Sequence, residues 1–138
     1  MARQFALEIK SPSGKHLEDQ AELLNIRLSD GQVGIMKDHV PLIGIIEISH
    51  FNYVKEGKVY DFAIAGGILN VTKEKVMILA DSYESKEEID IERAKSAQER
   101  AEGLLKAAKE GNKEDIDIKR ASLALQRAIN RLSLTSRK

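Results

Sequence analysis

The chain contains no cysteine, no tryptophan and only two prolines, and aromatic residues make up 4% of it. Lacking cysteine, it has no disulfide framework, no thiolate metal ligands and no thiol nucleophile, although this alone does not fix a compartment. An excess of either charge is missing as well. The 22 basic residues cancel the 22 acidic ones, so no long-range field draws in nucleic acid or an acidic membrane. The longest apolar run, Pro41 to Ile46, falls far short of the roughly 20 residues that cross a bilayer as a helix. No direct membrane insertion is expected. The start, Met1-Ala2-Arg3-Gln4-Phe5, lacks the apolar stretch of a signal peptide. A soluble protein of a reducing compartment is the expectation.

Catalytic signatures are missing too. His16, His39 and His50 are scattered, and no pair has the helical spacing of metal ligands. There is no Gly-x-Ser-x-Gly and no phosphate loop followed by lysine. No carboxylate cluster suggests a metal. The chain is therefore expected to hold no metal and to do no chemistry of its own.

What is present divides at Ser82 to Glu88. Before it, apolar residues recur with a period of two, at Phe5, Leu7 and Ile9, then at Leu24, Ile26 and Leu28. Turn clusters separate these runs: Ser11-Pro12-Ser13-Gly14, Ser29-Asp30-Gly31 and Lys55-Glu56-Gly57-Lys58. Val33 to Met36 reads as a short strand, and Leu42 to Ile48 is apolar enough to be buried on both faces. Gly66-Gly67 reads as a bulge or a close approach of backbones. Many short strands with no helix between them predict an antiparallel sandwich or barrel. No internal repeat or low-complexity tract is read.

After the boundary, Ala, Glu, Lys and Arg take over. Ala94, Ala97, Ala101 and Ala108 form one helical stripe with Leu104 and Leu105 beside it, and Ala121, Leu125, Ala128 and Leu132 form another. The breaker Gly111-Asn112 predicts an antiparallel hairpin of the two helices. At about 100° per residue, Arg93 and Arg100 share a face roughly a quarter turn from the first stripe. Arg120, Arg127 and Arg131 lie in the same rotational sense from the second. Equal offsets in an antiparallel pair converge on one side of the hairpin. Two rows of guanidinium groups repel unless an anion or carboxylates stand between them. Glu92, Glu99 and Glu102 permit the plainer reading, a solvated and salt-bridged flank.

Several motifs together resemble a known family. Gly31-x-x-Gly34-Ile35-Met36-x-x-His39-x-Pro41-Leu42 is similar to the loop signature of the epsilon subunit of bacterial F-type ATP synthases. Gly66-Gly67-Ile68-Leu69-Asn70-Val71 resembles its second signature, and Val76-Met77-Ile78-Leu79-Ala80-Asp81 its closing strand. Ile89-Asp90-x-x-Arg93-Ala94 resembles the nucleotide motif of the Bacillus-type, ATP-binding members. Ile68 stands where the family more often has Phe, and Asn70 where Glu is common; both concern sheet packing.

The resemblance implies an α+β chain: an antiparallel ten-stranded β-sandwich over residues 1–84, then a two-helix antiparallel hairpin over 85–138. It implies a non-catalytic rotor subunit that grips the gamma subunit and rests on the c-ring, on the cytoplasmic face of the membrane. Gln32 and His39 are the implied c-ring contacts, and an exposed apolar patch on one sheet would meet gamma. The helices would fold as a hairpin or extend into the catalytic alpha/beta head, obstructing ATP hydrolysis. Glu84, Ile89, Asp90, Arg93, Ala94, Arg100, Arg127 and Arg131 match the positions implied for ATP as a regulatory ligand, with no cofactor required. An alternative within the family is an arm that is structural and senses no ATP. A third possibility, a nucleotide-hydrolysing enzyme, would release phosphate from ATP, and no release is expected.

Overall fold

The computed structural model describes residues 3–111 and 117–136. It divides into two compact units, Met1–Ser85 and Lys86–Lys138.

The first unit is built of strands β1 (Phe5–Lys10), β2 (His16–Ala21), β3 (Leu23–Leu28), β4 (Gly31–Ile35), β5 (Leu42–Lys55), β6 (Lys58–Val71), β7 (Lys75–Ala80) and β8 (Tyr83–Ser85). They form one hydrogen-bonded sheet in the order β2-β1-β7-β6-β5-β3-β4, with β8 also on β6. The sheet folds over on itself as a sandwich. Asp19 of β2 accepts hydrogen bonds from Tyr53 Oη (2.8 Å) and Lys55 Nζ (2.7 Å) of β5, although three strands separate β2 from β5 in the sheet. Leu7, Ile9, Leu24, Ile26, Ile35, Phe51, Ile64, Leu69 and Ile78 fill the space between the layers. Their alternation along β1, β3 and β7 is the period of two that the sequence displays.

Three expectations about the strands need correction. The described residues hold eight strands and not ten. β5 and β6 are each 14 residues long and pair in one constant register from Leu42↔Val71 to Lys55↔Lys58. Pairing lapses only opposite Gly66. At the same point the opposite edge of β6 changes partner: Ala65 N–H bonds to Ser82 O, while Gly67 pairs with Ala80 of β7. Each long strand therefore serves both layers without a break. The sheet is also not wholly antiparallel, since β1 runs parallel to β7. Finally, Leu42 to Ile48 is not buried on both faces. Ile43 and Ile45 point outward and are 74% and 65% exposed.

The expected hairpin turn is present, with Glu56 at φ 52° and Gly57 at φ 80°. Two successive positive φ angles match the twist of flanking strands. At Gly67 the close approach is literal, since a Cβ there would lie 2.2 Å from Leu79 O of the neighbouring strand.

The second unit opens with a short 3-10 turn, Lys86–Glu88, followed by α1 (Ile91–Lys109) and α2 (Ile118–Thr135). The helices pack together as a hairpin. α1 starts at Asp90, whose carboxylate accepts the Arg93 N–H at 3.0 Å; α2 starts at Asp117, which accepts the Arg120 N–H at 3.0 Å. Both are N-caps of the usual chemistry. They belong to a repeated hexapeptide, Ile89-Asp90-Ile91-Glu92-Arg93-Ala94 and Ile116-Asp117-Ile118-Lys119-Arg120-Ala121, which corrects the reading that the chain has no internal repeat. Gly111 follows α1 with φ 99°; Asn112, the other half of the expected breaker, lies outside the described residues.

Candidate functional site

The hairpin seam fixes where the arginines point. Ala94, Ala101 and Ala108 are buried on α1, and Ala121 and Ala128 on α2, at heptad spacing. Ala97, Leu125 and Leu132 are half-buried, whereas Leu104 is 42% exposed. Arg93, Arg100, Arg120 and Arg127 each immediately precede one of these buried alanines. Each guanidinium therefore leaves its helix about 100° from the seam in the same rotational sense. In an antiparallel hairpin that puts both rows on one side. Level along the axis follows from counting back from the turn. Arg100 lies nine residues before the end of α1 and Arg127 nine after the start of α2. Those two stand opposite each other, Arg93 and Arg131 lie one to two turns further from the turn, and Arg120 sits nearer to it.

On this side the plainer reading reduces to a solvated flank, since among the described residues the salt bridges it allowed for are missing at most of these arginines. Arg93, Arg100 and Arg127 make no ion pair or side-chain hydrogen bond with any described residue. All three are exposed, and Arg131 is half-buried. The side thus carries concentrated positive charge with the donor geometry that takes phosphate oxygens in pairs.

The remaining positions matched to the nucleotide motif are placed differently. Asp90 is exposed but its carboxylate caps α1. Ile89 is buried and Ala94 is fully buried, at N′ and N4 of the helix, the positions of a hydrophobic staple. Their physical part is to fix how α1 begins. Glu84 lies half-buried on β8 in the other unit.

On the first unit, an apolar row crosses the outer face. Ile45 of β5 pairs with Ile68 of β6, which pairs with Leu79 of β7. With Ile43 they are 65%, 47%, 44% and 74% exposed, in that order. Residues of this kind, contiguous and uncovered, mark a partner surface more often than chance exposure does. Beside the row lies an open cleft of about 300 Å³ lined by Leu28, Ser29, Asp30, Leu42, Ile43 and Ile68, among others. Periodicity alone did not find these residues because an outward isoleucine on a strand reads like an inward one. The signal was the unbroken apolar run, which has one face too many for a one-sided strand.

Gln32 is exposed on β4, and His39 is half-buried in the turn between β4 and β5. That turn is organised by His39 N–H to Met36 O, by His39 Nδ1 with Val40 O, by Asp38 at φ 66° and by an ion pair of Asp38 with Arg3. Met36 and Val40 are 63% and 71% exposed there.

One cluster escaped the sequence reading. Glu8, His16 and Glu18 come together on the outer face of β1 and β2. Hydrogen bonding with Glu18, and then Lys75 and Lys10, hold the Glu8 carboxyl down at about 2 against the opposing effect of burial. A charged β2 gives no apolar alternation, so its register with β1 was not visible.

Comparison with known proteins bears on both units. The family described as ATP synthase, Delta/Epsilon chain, beta-sandwich domain matches residues 4–86, and its long alpha-helix domain matches 87–136. The chain is 43% identical over 105 residues to the ATP synthase epsilon chain of Desulfitobacterium hafniense (strain Y51), covering 76% of this chain and 80% of that one. It is 44% identical over 102 residues to that of Caldicellulosiruptor saccharolyticus, covering 74% of each. A chain in the cryo-EM structure of Euglena gracilis mitochondrial ATP synthase (OSCP/F1/c-ring, rotational state 1) matches 92% of this chain and 78% of its own length. The TM-score is 0.74 at 21% identity, a likeness of fold.

Proposed function

Because the chain belongs to the ATP synthase epsilon-chain family, we propose that it is a central-stalk subunit whose helical hairpin is a regulatory arm held closed by ATP. The observation that carries the regulatory part is the one-sided arginine row. Arg93, Arg100 and Arg127 project from two different helices, to one side, with no carboxylate partner among the described residues. A polyphosphate lying along that side relieves the repulsion with charge-assisted bonds to both helices at once. It binds the closed hairpin and has nothing to bridge once the helices separate. Its differential affinity therefore draws the population toward closure.

The seam is suited to opening. Its central residues are alanines, each of which buries little more than a methyl group, on the order of 0.8 kcal/mol. Ile91, Leu104, Ile118 and Ile129 remain 42–46% exposed on the hairpin. In the proposal these side chains meet the catalytic alpha/beta head when the arm extends, and the extended arm inhibits ATP hydrolysis. On the first unit, the row Ile43, Ile45, Ile68 and Leu79 is the face offered to gamma. The turn that holds His39, with Gln32 on the preceding strand, is the end offered to the c-ring. No described helix is long and apolar enough to cross a membrane, consistent with peripheral attachment through those partners on the cytoplasmic face.

Isothermal titration with ATP tests the arm. One ATP per chain is expected, with Arg100→Ala and Arg127→Ala each weakening binding about tenfold or more, the loss of roughly one charge-assisted contact. Absence of binding, or unchanged affinity in both variants, would remove ATP sensing and leave a structural arm.

A further inference from the structure

We propose that Glu8, His16 and Glu18 form a divalent-cation site on the outer face of β1 and β2, suited to zinc or a similar late first-row ion. His16 and Glu18 are two residues apart on β2 and so project from the same face. Glu8 is the direct cross-strand partner of Glu18, which brings a third donor to that face. The three donor atoms all lie within 4.8 Å of one another. His16 Nε2 stands 3.5 Å from Glu8 Oε2 and 3.3 Å from Glu18 Oε1.

These separations leave room for an ion between the donors. A charge-assisted hydrogen bond draws its partners to about 2.7–2.9 Å, and neither contact is that short. Nitrogen and oxygen ligands about 2.0–2.1 Å from a tetrahedral zinc stand roughly 3.3–3.4 Å apart along each edge of the tetrahedron. The His16 contacts, at 3.5 and 3.3 Å, are compatible with such edges. One imidazole nitrogen with two carboxylate oxygens is a zinc-type donor set with a fourth position left for water. Glu8 and Glu18 also line an open cleft of about 480 Å³ together with Asp19, Gln20 and Lys75.

Glu8 divides its two oxygens between different partners. Lys10 and Lys75 each stand 3.4 Å from Oε1, whereas Oε2 faces His16. A cation on Oε2 leaves both lysine contacts in place. Their positive charges lower its affinity, so binding in the micromolar range is expected. The consequence is local. β2 is an edge strand, and an ion shared between β1 and β2 fastens that edge.

The test is titration of the full-length, tag-free chain with Zn²⁺ by calorimetry, alongside thermal unfolding with and without the ion. One saturable Zn²⁺ per chain and a rise in Tm are expected. His16→Gln and Glu18→Gln should each reduce affinity at least tenfold, while His39→Gln and His50→Gln leave it unchanged. Circular dichroism of each variant without metal verifies that it folds. Absence of saturable binding below about 1 mM would overturn the site. So would binding that survives His16→Gln or Glu18→Gln, since the ion would then sit elsewhere.

Discussion

Substituting Gly67 with alanine isolates the backbone device on which the sandwich turns. Gly67 sits at φ 154°, and a Cβ there meets Leu79 O at 2.2 Å and Ala80 Cα at 2.9 Å. Both obstacles are backbone of the adjacent strand, so no side chain can swing aside. β6 and β7 must part by about 1 Å to restore ordinary contact near 3.4 Å, weakening the Gly67↔Ala80 pairing. Backbone strain of about 1–3 kcal/mol and roughly one lost ladder hydrogen bond of about 1 kcal/mol give a cost of about 2–4 kcal/mol. Gly14→Ala is the control. Its φ of 92° is also positive, but nothing lies within 4 Å of its Cβ, so only strain near the lower end of that range applies, about 1 kcal/mol. Urea unfolding of both variants gives the two costs directly. If they prove equal, the contact with Leu79 is not what requires glycine at position 67.

Other perturbations have definite signs. Burial pushes the Asp19 carboxyl up, but hydrogen bonds from Lys55 and Tyr53 outweigh it and hold the group below its ordinary value of 3.8. The folded state thus favours the ionised form, so this stability is present above about pH 4 and lost as pH falls below it. Asp19→Asn should be destabilised at pH 7, and its urea midpoint should fall less steeply between about pH 4 and 2 than that of the parent. Burial, followed by the hydrogen bond to Asp19, pushes the Tyr53 phenol well up. Tyr53→Phe should cost about 1.5–3 kcal/mol, the worth of a hydrogen bond to a charged group, by the same measurement at pH 7. Ile45→Asp, at a position 65% exposed, should leave stability within about 0.5 kcal/mol yet abolish co-purification with gamma. Ala101 is 2% exposed in the hairpin seam, and Ala101→Leu should overpack it by about 1–3 kcal/mol. Helical ellipticity should then melt earlier while the strand unit is unaffected.

The parts of the structure legible in sequence share a physical cause. Where one face is buried and the other wet, period marks the element. Phe5, Leu7 and Ile9 on β1, and Ala94, Ala101 and Ala108 on α1, announce themselves in this way. Asp90 caps α1 because a helix start needs a short acceptor three residues before a free N–H, a spacing that the sequence carries. The same arithmetic placed Arg93, Arg100 and Arg127, since helical rotation is fixed by backbone geometry. β2 was illegible because His16, Glu18 and Gln20 on its outer face leave little apolar contrast. Ile43 and Ile45 were misjudged because hydrophobicity states a preference for burial but not whether a partner supplies it. Cross-strand neighbours such as Glu8 and Glu18 depend on register, which two separated segments do not encode individually.

The absence of cysteine permits the most direct test of the arm. Spin labels at Glu102→Cys on α1 and Gln126→Cys on α2, both exposed and level with each other along the hairpin, report its closure as a single short distance. Urea is raised until that distance is lost, with and without saturating ATP. The account predicts that ATP moves the loss to higher urea, by RT ln(1 + [ATP]/Kd) in free energy, and that Arg127→Ala removes most of the shift. An opening midpoint identical with and without ATP in the parent chain would contradict it.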